Sequence, residues 1–248
     1  MKKNKKKQQA MELIFGAHSI IEFLKAKKRK LYSIYTTKPL PKSYKRVEKY
    51  LPKKVANIQY VSRNVLDRMA GSSDHMGIIA LVSPFQYSSK IFDSNKKEFV
   101  LLLDGVKDVR NLGAILRSAY CTGFQGVVLC KKGGALITAA AHKASAGLAE
   151  HLDIYISPSI EHATNELNKA GYNLYMAVLD NGKDATKINY KKPICLVIGS
   201  EEKGISKNVQ DKGTLITLPQ RSADISYNAS VAAGILLFLL RQKASLLS

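Results

Sequence analysis

Three polar turns carry the residue types in this sequence that could perform chemistry on a bound ligand. The first turn follows the apolar run FVLLL and leads into a helical pattern that contains Asn111 and Arg117. A fixed amide and guanidinium can hold a phosphate or orient an attacking oxygen. Arg117 falls roughly opposite the apolar stripe of that helix, so it is predicted to point away from the core. The alternative is a structural one, in which Asn111 caps the helix and Arg117 is simply solvated.

The second turn, residues 199–204 (GSEEKG), directly follows the apolar run PICLVIG. Gly199 and Gly204 permit a ligand to approach the backbone closely, and Glu201 places a carboxylate at the end of the predicted strand. A tight surface turn explains the same residues equally well. The turn is not a P-loop, since no Gly-Lys-Ser/Thr follows, and the chain contains no G-x-G-x-x-G dinucleotide motif.

The third turn, residues 218–228 (LPQRSADISYN), leads into the last helical pattern, Asn228–Gln242. Ser226 and Asn228 supply a hydroxyl and an amide, although either of them could instead cap the helix. The helix is apolar almost all round (VAAGILLFLL), which predicts that it is buried on every side. A second subunit would provide that burial, so the sequence predicts a homodimer.

The elements that must position these turns form an alternating α/β pattern after residue 98. Such alternation predicts a mostly parallel sheet with helices on both faces. Ligands of open α/β sheets bind beyond the carboxyl ends of the strands, so the three turns are expected to meet there. The predicted strands are Phe99–Leu103, Gly126–Cys130, Asp153–Ile156, Asn173–Val178, Ile194–Gly199 and Leu215–Leu218. The predicted helices are Leu112–Cys121, Ala135–Ala146, Ser159–Ala170 and Asn228–Gln242.

A smaller α/β pattern precedes this one. We expect a basic disordered tail over residues 1–10, a first domain over 11–84, a polar, turn-rich linker over 85–98 and a second domain over 99–248. Within the first domain the predicted helices are Glu12–Ala26, Lys42–Tyr50 and Val65–Ala70. The predicted strands are Leu31–Thr36, Ile58–Val61 and Ile78–Val82.

Charge is the unusual bulk property of the chain. The formal net charge is +20, and residues 1–98 hold 22 of the 39 basic residues but only 7 of the 19 acidic ones. A field this positive favours nucleic acid as a partner, with acidic lipid second. A merely solubilising lysine surface is the alternative. The predicted phosphate contacts are Lys27–Lys30, Lys42, Lys45, Arg46, Lys49, Lys53 and Lys54.

The remaining composition argues against a membrane or metal protein. The longest apolar stretch, Val231–Leu240, is far shorter than the roughly 20 residues of a membrane-spanning helix. The three cysteines, Cys121, Cys130 and Cys195, form no C-x-x-C pair, and the five histidines form no cluster with metal-ligand spacing. We therefore expect reduced thiols, no metal and a cytoplasmic protein.

Taken together, the three turns resemble a known family. The segments NLGAILRSA, IGSEEKG and SYNASVAAGI, in that order, are similar to the three signature motifs of the SpoU (TrmH-like) RNA ribose methyltransferases. The resemblance implies a C-terminal α/β knot of the SPOUT type, a trefoil knot with a mostly parallel sheet, that binds S-adenosylmethionine and dimerises. The first domain resembles the L30e-like RNA-binding module of the family. The subgroup that looks most similar is that of the 23S rRNA guanosine 2′-O-methyltransferases.

The resemblance also implies roles for individual residues. Matching positions of the catalytic set are Asn111, Arg117, Glu201, Ser226 and Asn228, and matching donor-binding positions are Gly199, Leu218 and Tyr227. The chain departs from the usual motifs at Val109-Arg110, where Pro is common, at Glu202-Lys203, where a Gly-Glu pair is frequent, and at Tyr227, which replaces a Leu.

The implied activity is methylation of a ribose 2′-hydroxyl in structured RNA, ribosomal RNA rather than tRNA. Arg117 would orient that hydroxyl, and either Arg117 or an RNA phosphate would take its proton. The alternatives are a tRNA ribose methyltransferase and a non-catalytic dimeric RNA-binding scaffold of the same fold.

Overall fold

The computed structural model describes residues 11–53, 57–221 and 226–244. The chain divides into two compact units, Met1–Gln86 and Tyr87–Ser248. The predicted basic tail, Lys54 and part of the third turn (residues 222–225) lie outside the described residues. None of the helices in the described ranges is long and apolar enough to cross a membrane.

The described residues of the first unit form a four-stranded sheet and three helices. The strand order is β1-β4-β2-β3, in which β2 and β3 are parallel and the other pairs are antiparallel. The strands are β1 (Glu12–Phe15), β2 (Leu31–Thr36), β3 (Ile58–Tyr60) and β4 (Ile78–Val82). The helices are α1 (Ala17–Ala26), α2 (Lys42–Glu48) and α3 (Arg63–Ala70).

The largest difference from the sequence expectation in this unit lies at its start. The predicted helix Glu12–Ala26 is wrong in its first turn, because the chain forms strand β1 before helix α1. Gly16 separates the two elements with a φ of 85°, a left-handed conformation that glycine adopts without steric cost. β1 pairs with β4, and this pairing buries Ile14 and Phe15. Tertiary pairing thus overrides a helical pattern in four residues.

The second unit contains a seven-stranded sheet in which every neighbouring pair is parallel, in the order β7-β6-β5-β10-β8-β11-β9. The mostly parallel sheet that the alternating pattern predicts is therefore confirmed. Its strands are β5 (Phe99–Leu103), β6 (Gly126–Cys130), β7 (Asp153–Ser157), β8 (Asn173–Val178), β9 (Lys183–Asp184), β10 (Ile194–Ile198) and β11 (Thr214–Thr217). The sequence reading missed the two-residue strand β9.

Among the described residues of the second unit, four α-helices and three short 3-10 helices accompany the sheet. The α-helices are α4 (Val109–Cys121), α5 (Ala139–Ala144), α6 (Ile160–Lys169) and α7 (Ala229–Lys243). The 3-10 helices are Leu148–His151, Ala185–Lys187 and Lys207–Lys212. The prediction for α5 was too long, since residues 135–138 are not helical and Thr138 caps the helix by accepting from the Ala141 N–H.

Helix α7 is buried on one face by its own chain, and the predicted burial of the other face by a second subunit is not tested by a single chain. Within the single chain Ala233, Leu236, Leu237 and Leu240 are buried. The opposite face, by contrast, exposes the apolar side chains Val231, Ile235 and Phe238. This spacing of four and three residues forms one continuous stripe along the helix. We name these three residues the α7 stripe.

The stretch expected to be a linker is largely packed. Phe92 is buried in the same core cluster as Val100 of β5 and Leu174 of β8. Ser88 forms a bridge with Tyr155 of β7. Burying one phenylalanine side chain contributes on the order of 2 kcal/mol to stability, and Ile91 packs against the same cluster as Phe92, so this polar-looking segment is held at its apolar residues.

Candidate active site

The site begins where the two central strands end. Strands β5 and β10 are parallel neighbours, with Leu103 opposite Ile198. The turns that follow them therefore leave the sheet side by side, although they are about 90 residues apart in the chain. The Asp104 N–H donates to the Ile198 carbonyl at 2.8 Å, which extends the pairing past both strands. The Asp104 carboxylate also accepts from the N–H and the hydroxyl of Ser206, at 2.9 and 2.8 Å.

The second turn is closed by its own backbone. Ser200 and Gly204 exchange N–H to carbonyl hydrogen bonds of 3.1 and 2.9 Å. A side chain on Gly199 would overlap the backbone of Gly204 and Ile205. Gly204 has a φ of 63°. Glycine at position 199 is therefore required by the fold, independently of any ligand.

Side chains also join the first two turns. The Asn111 Nδ2 donates to the Glu201 Oε1 at 2.6 Å. Beside it, the Lys107 ammonium and the Glu202 carboxylate form an exposed ion pair of 3.1 Å. The interpretation of Asn111 as a helix cap is wrong, because Asp108 caps α4 by accepting from the Arg110 N–H at 2.7 Å. The Asn111 side chain is thereby available for the neighbouring turn.

The third turn ends in a helix cap. The Asn228 Oδ1 accepts from the N–H and the hydroxyl of Ser230, at 2.9 and 2.6 Å, so Asn228 is the N-cap of α7. Of the two possible caps, the structure selects Asn228 over Ser226. Ser226, Tyr227 and Asn228 are all exposed. The capping oxygen is occupied, and the amide nitrogen of Asn228 keeps its capacity to donate to a ligand.

The second and third turns enclose one cavity of about 760 Å³. Its volume lies in the range of about 300–1,000 Å³ that is usual for small-molecule sites. The sequence-predicted residues that line it are Gly199, Glu201, Leu218, Ser226, Tyr227 and Asn228. A cavity of this size, lined by glycine backbone, apolar side chains and a few polar groups, fits a nucleoside-sized donor such as S-adenosylmethionine.

Asn111 and Arg117 are predicted site residues that do not line this cavity, although Asn111 is hydrogen-bonded to Glu201, which does. Arg117 has no such link. It is exposed on α4 and is not among the described residues that line the cavity. Within the described ranges, Arg117 forms no hydrogen bond or ion pair. Gly113, one turn earlier on α4, allows this helix to pack closely against α5, because a side chain there would collide with Ala144.

The sequence reading missed cavity residues that follow strand β8. Asp180 and Asn181 line the cavity, and Asn181 has a φ of 58°. Gly182 follows, and its N–H donates to the Thr217 hydroxyl at 3.0 Å. The available signal was their place directly after a predicted parallel strand, which is the same rule that identified the other turns.

A larger cleft, of about 990 Å³, opens at the other end of the same sheet. It is lined by residues at the starts of β8 and β11 and by Lys183, Lys187 and Lys191. Most polar groups there serve the fold: Asn173 Nδ2 donates to the carbonyls of Lys191 and Pro193, and Lys212 Nζ donates to Asn165. No described residue of the three polar turns lines this cleft.

The three cysteines are free thiols, of which Cys130 and Cys195 are buried. Burial raises the pKa of the Cys130 thiol to about 12 and that of Cys195 still further. A thiol of so high a pKa is protonated near neutral pH and is therefore a poor nucleophile.

Two family models match the chain. The model described as the SpoU rRNA Methylase family matches residues 98–238. The model described as RNA 2′-O ribose methyltransferase substrate binding matches residues 13–88. The two matches fall on the two compact units of the structure.

Individual relatives agree with these models. A TrmH family tRNA/rRNA methyltransferase, YacO of Bacillus subtilis, is 32% identical over 243 residues, which cover 95% of this chain and 97% of the relative. A crystal structure of an RNA 2′-O ribose methyltransferase superimposes with a TM-score of 0.83 at 22% identity, covering 96% of this chain and 90% of the other.

The SpoU methyltransferase AviRb of Streptomyces viridochromogenes, crystallised with AdoMet, superimposes with a TM-score of 0.79 at 19% identity over 98% of this chain and 95% of its own. The predicted fold class, an α/β domain of the SpoU methyltransferases preceded by a small α/β domain, is confirmed. With the family model covering more than half of its length, this chain belongs to the SpoU family of RNA methyltransferases.

Proposed function

We propose that this protein transfers a methyl group from S-adenosylmethionine to a ribose 2′-hydroxyl of structured RNA, and that the RNA is ribosomal. The observation that carries the proposal is the convergence of distant turns on one cavity. Glu201, Ser226 and Asn228 line that cavity, and Asn111 is hydrogen-bonded to Glu201. Four polar residues from three separate segments are thus gathered at the carboxyl end of the sheet, where α/β folds bind ligands.

The donor site is proposed at the glycine-lined wall of the cavity. Gly199 and Leu218 present backbone there, and Tyr227 is exposed at the rim. S-adenosylmethionine supplies an already activated methyl group, so no metal or covalent intermediate is needed. AviRb, a solved structure of the same fold, contains AdoMet, which supports this choice of donor.

The protein must supply alignment of the hydroxyl and a route for its proton. We assign the orientation of the hydroxyl to Arg117, and the positioning of the ribose to the Asn228 amide and the Ser226 hydroxyl. Glu201 holds Asn111 and so fixes the first turn against the second. A guanidinium loses a proton only above a pH of about 12. An RNA phosphate beside Arg117 is therefore the alternative acceptor of the proton.

Arg117 does not line the cavity of its own chain. For Arg117 to take part in the reaction, a second copy of the chain is therefore required. Helices α4 and α7 lie side by side, with Ser118 close to Gly234. Both helices have solvent-exposed side chains, which are Arg117 on α4 and the α7 stripe on α7. A copy that covers the apolar stripe through a two-fold axis would also cover Arg117. We therefore propose a homodimer whose two sites are completed in this way.

The first unit is proposed to bind the RNA substrate. Its match to a substrate-binding family model supports this assignment, as does the excess of basic residues before residue 98. The relative YacO is described as acting on tRNA or rRNA, so a tRNA ribose methyltransferase is the competing function. Within the proposal, residues 11–84 form the RNA-binding domain and residues 99–248 the transferase domain.

Mapping of 2′-O-methylated positions in total RNA from a strain that lacks this protein tests the substrate. Loss of one methylated nucleotide in ribosomal RNA is the expected result, and loss of a tRNA position instead would identify the competing function. Titration calorimetry with S-adenosylmethionine tests whether the chain is an enzyme at all. Failure to bind the donor at millimolar concentration would favour a non-catalytic scaffold.

A further inference from the structure

One end of the small sheet gathers exposed apolar side chains that the proposed chemistry does not use. Strands β2 and β3 end there and β4 begins there, since Thr36 pairs with both Tyr60 and Ile78. The exposed residues are Leu40 in the β2–α2 loop, Tyr60 at the end of β3 and Met76 just before β4. We name these three residues and Lys38 the Tyr60 surface.

The backbone beneath this surface is fixed by hydrogen bonds. The Thr36 hydroxyl donates to the Gly77 carbonyl at 2.8 Å, and the Ser43 hydroxyl donates to the Met76 carbonyl at 2.6 Å. The buried His75 ring accepts from the Gly77 N–H at 2.9 Å through Nδ1 and bonds Asp67 through Nε2. These bonds hold Met76 at a φ of 56°. The surface is therefore preorganised, which lowers the entropic cost of binding.

One cation lies over the exposed ring, and further cations belong to the same end of the unit. The Lys38 ammonium lies 4.3 Å from the centroid of Tyr60 and covers one face of it. The Arg46 guanidinium is 2.8 Å from the His18 Nε2 at the start of α1, in the same end of the unit. Lys42 and Lys45 are exposed on the adjacent helix α2. Asp74 is an exposed acid in this end, and Asp67 is engaged by His75.

A second tyrosine of the unit provides a natural comparison. Tyr50 is 46% exposed, against 48% for Tyr60. It also has a lysine over its ring, Lys25 at 5.4 Å. Tyr50 lies beyond the far end of α2, however, so it is remote from the loops that expose Leu40 and Met76. The two tyrosines match in exposure and in cation contact but differ in their surroundings.

We infer that the Tyr60 surface binds an unpaired nucleotide of the RNA substrate. The base stacks on the open face of Tyr60, and the flanking phosphates pair with Lys38 and Arg46. Stacking on an exposed ring needs a base that is out of the helix, so the ligand is a loop or bulge rather than a duplex. The combination of an aromatic platform and nearby cations is that of single-strand binding surfaces. The inference rests on the proposed function only in taking RNA as the substrate.

The chain contains no tryptophan, so a single introduced one reports its own surroundings. We would compare Tyr60→Trp with Tyr50→Trp while adding an RNA hairpin with an unpaired loop, or the same stem as a continuous duplex. The hairpin should quench the fluorescence of Tyr60→Trp, and the duplex should quench it much less. Tyr50→Trp should respond weakly to both. Equal quenching of the two variants, or none at position 60 while anisotropy shows the hairpin bound, would overturn the inference.

Affinity provides a second readout. Tyr60→Ala should weaken hairpin binding by roughly 5- to 100-fold, whereas Tyr60→Phe and Tyr50→Ala should bind like the parent. Unchanged binding by Tyr60→Ala would overturn the inference. Donor titration separates this result from the proposed function: stacking at Tyr60 without donor binding would refute the methyltransferase, and donor binding without stacking would refute only the surface.

Discussion

The two ends of the seven-stranded sheet differ in how they use their polar groups. The amino end has the larger cleft, about 990 Å³ against about 760 Å³ at the carboxyl end. At the amino end, amides such as Asn168 and Asn173 are bonded to nearby carbonyl groups. At the carboxyl end, Ser226 and Asn228 are exposed at the cavity.

The volume of a cavity alone therefore does not identify a functional site. The carboxyl end draws its polar groups from segments far apart in the chain, as the bond between Asn111 and Glu201 illustrates. A fold can satisfy its own polar atoms with partners inside the protein, as Asn168 and Asn173 do at the amino end. Distant groups that converge and keep hydrogen-bonding capacity for a ligand mark a functional site.

Arg117→Ala is the substitution that we expect to lower methyl transfer most strongly, compared with a substitution at the amino end of the sheet. Loss of the group that orients the hydroxyl should lower methyl transfer by about 10²- to 10⁴-fold, with donor affinity in calorimetry unchanged. Lys187→Ala, in the amino-end cleft, is the control and should turn over like the parent. Parent-like turnover by Arg117→Ala would refute its role.

Phe238→Glu tests whether a second copy covers the helix beside the carboxyl end. A charge in the α7 stripe should weaken self-association by on the order of 10³-fold, because a two-fold interface contains the change twice. Sedimentation velocity measures the effect, and methyl transfer should fall with it. Lys243→Glu places a glutamate at an exposed position of α7 five residues after Phe238, which at about 100° per residue lies on a different side of the helix, and it should remain dimeric. A dimeric Phe238→Glu protein would show that the stripe is not the interface.

Glu201→Gln and Glu202→Gln compare two adjacent carboxylates at the carboxyl end of the sheet. The Glu201 carboxylate accepts from Asn111 at 2.6 Å, and a hydrogen bond to a charged group is worth about 1.5 kcal/mol or more. We expect a roughly 10-fold loss of turnover from Glu201→Gln. Glu202→Gln changes the adjacent residue, whose ion pair with Lys107 is solvent-exposed, and should have little effect. Equal losses in the two variants would argue against a specific role for Glu201.

Glu161→Gln should give the smallest effect, seen only in stability. Hydrogen bonds from Ser159, from its own backbone N–H and from Asn208 lower the pKa of Glu161 from 4.5 to about 2. The lowered pKa stabilises the folded state above pH 4.5, and this stability is lost as the pH falls towards 2. Urea unfolding across that range should show the parent's advantage over Glu161→Gln shrinking with acidity. A constant difference would contradict the assignment.

Much of the fold could be predicted from periodicity. Strands β5, β6 and β8 have the predicted bounds because their apolar runs are buried on both faces. Strand β1 could not be predicted, since its short apolar run continues into the pattern of α1 and only Gly16 separates them. The exposed α7 stripe could not be predicted from the sequence either. Composition shows that a helix is apolar, but it does not show which face of the helix its own chain covers.

The candidate site was predictable only in part, since two of its turns were selected from the sequence while Asp180 and Asn181 were missed. The rule that ligands bind after parallel strands selected the turns that contain Glu201 and Asn228. The cap of α4 was assigned to Asn111 rather than Asp108, because the helix begins at Val109, before its apolar stripe does. The exposure of Arg117 follows from its position on α4, and its absence from the cavity required the three-dimensional structure.

We propose that the carboxyl-end cavity directs a methyl group to a ribose oxygen. The most direct test of this proposal is to supply S-adenosylmethionine with a deuterated methyl group to the purified protein and unmodified ribosomal RNA, and then to identify the labelled nucleosides by mass spectrometry. We expect to find the label only in 2′-O-methylated nucleosides, and we expect the Arg117→Ala variant to form almost no labelled nucleosides. Label on a base, or equal labelling by Arg117→Ala, would contradict it.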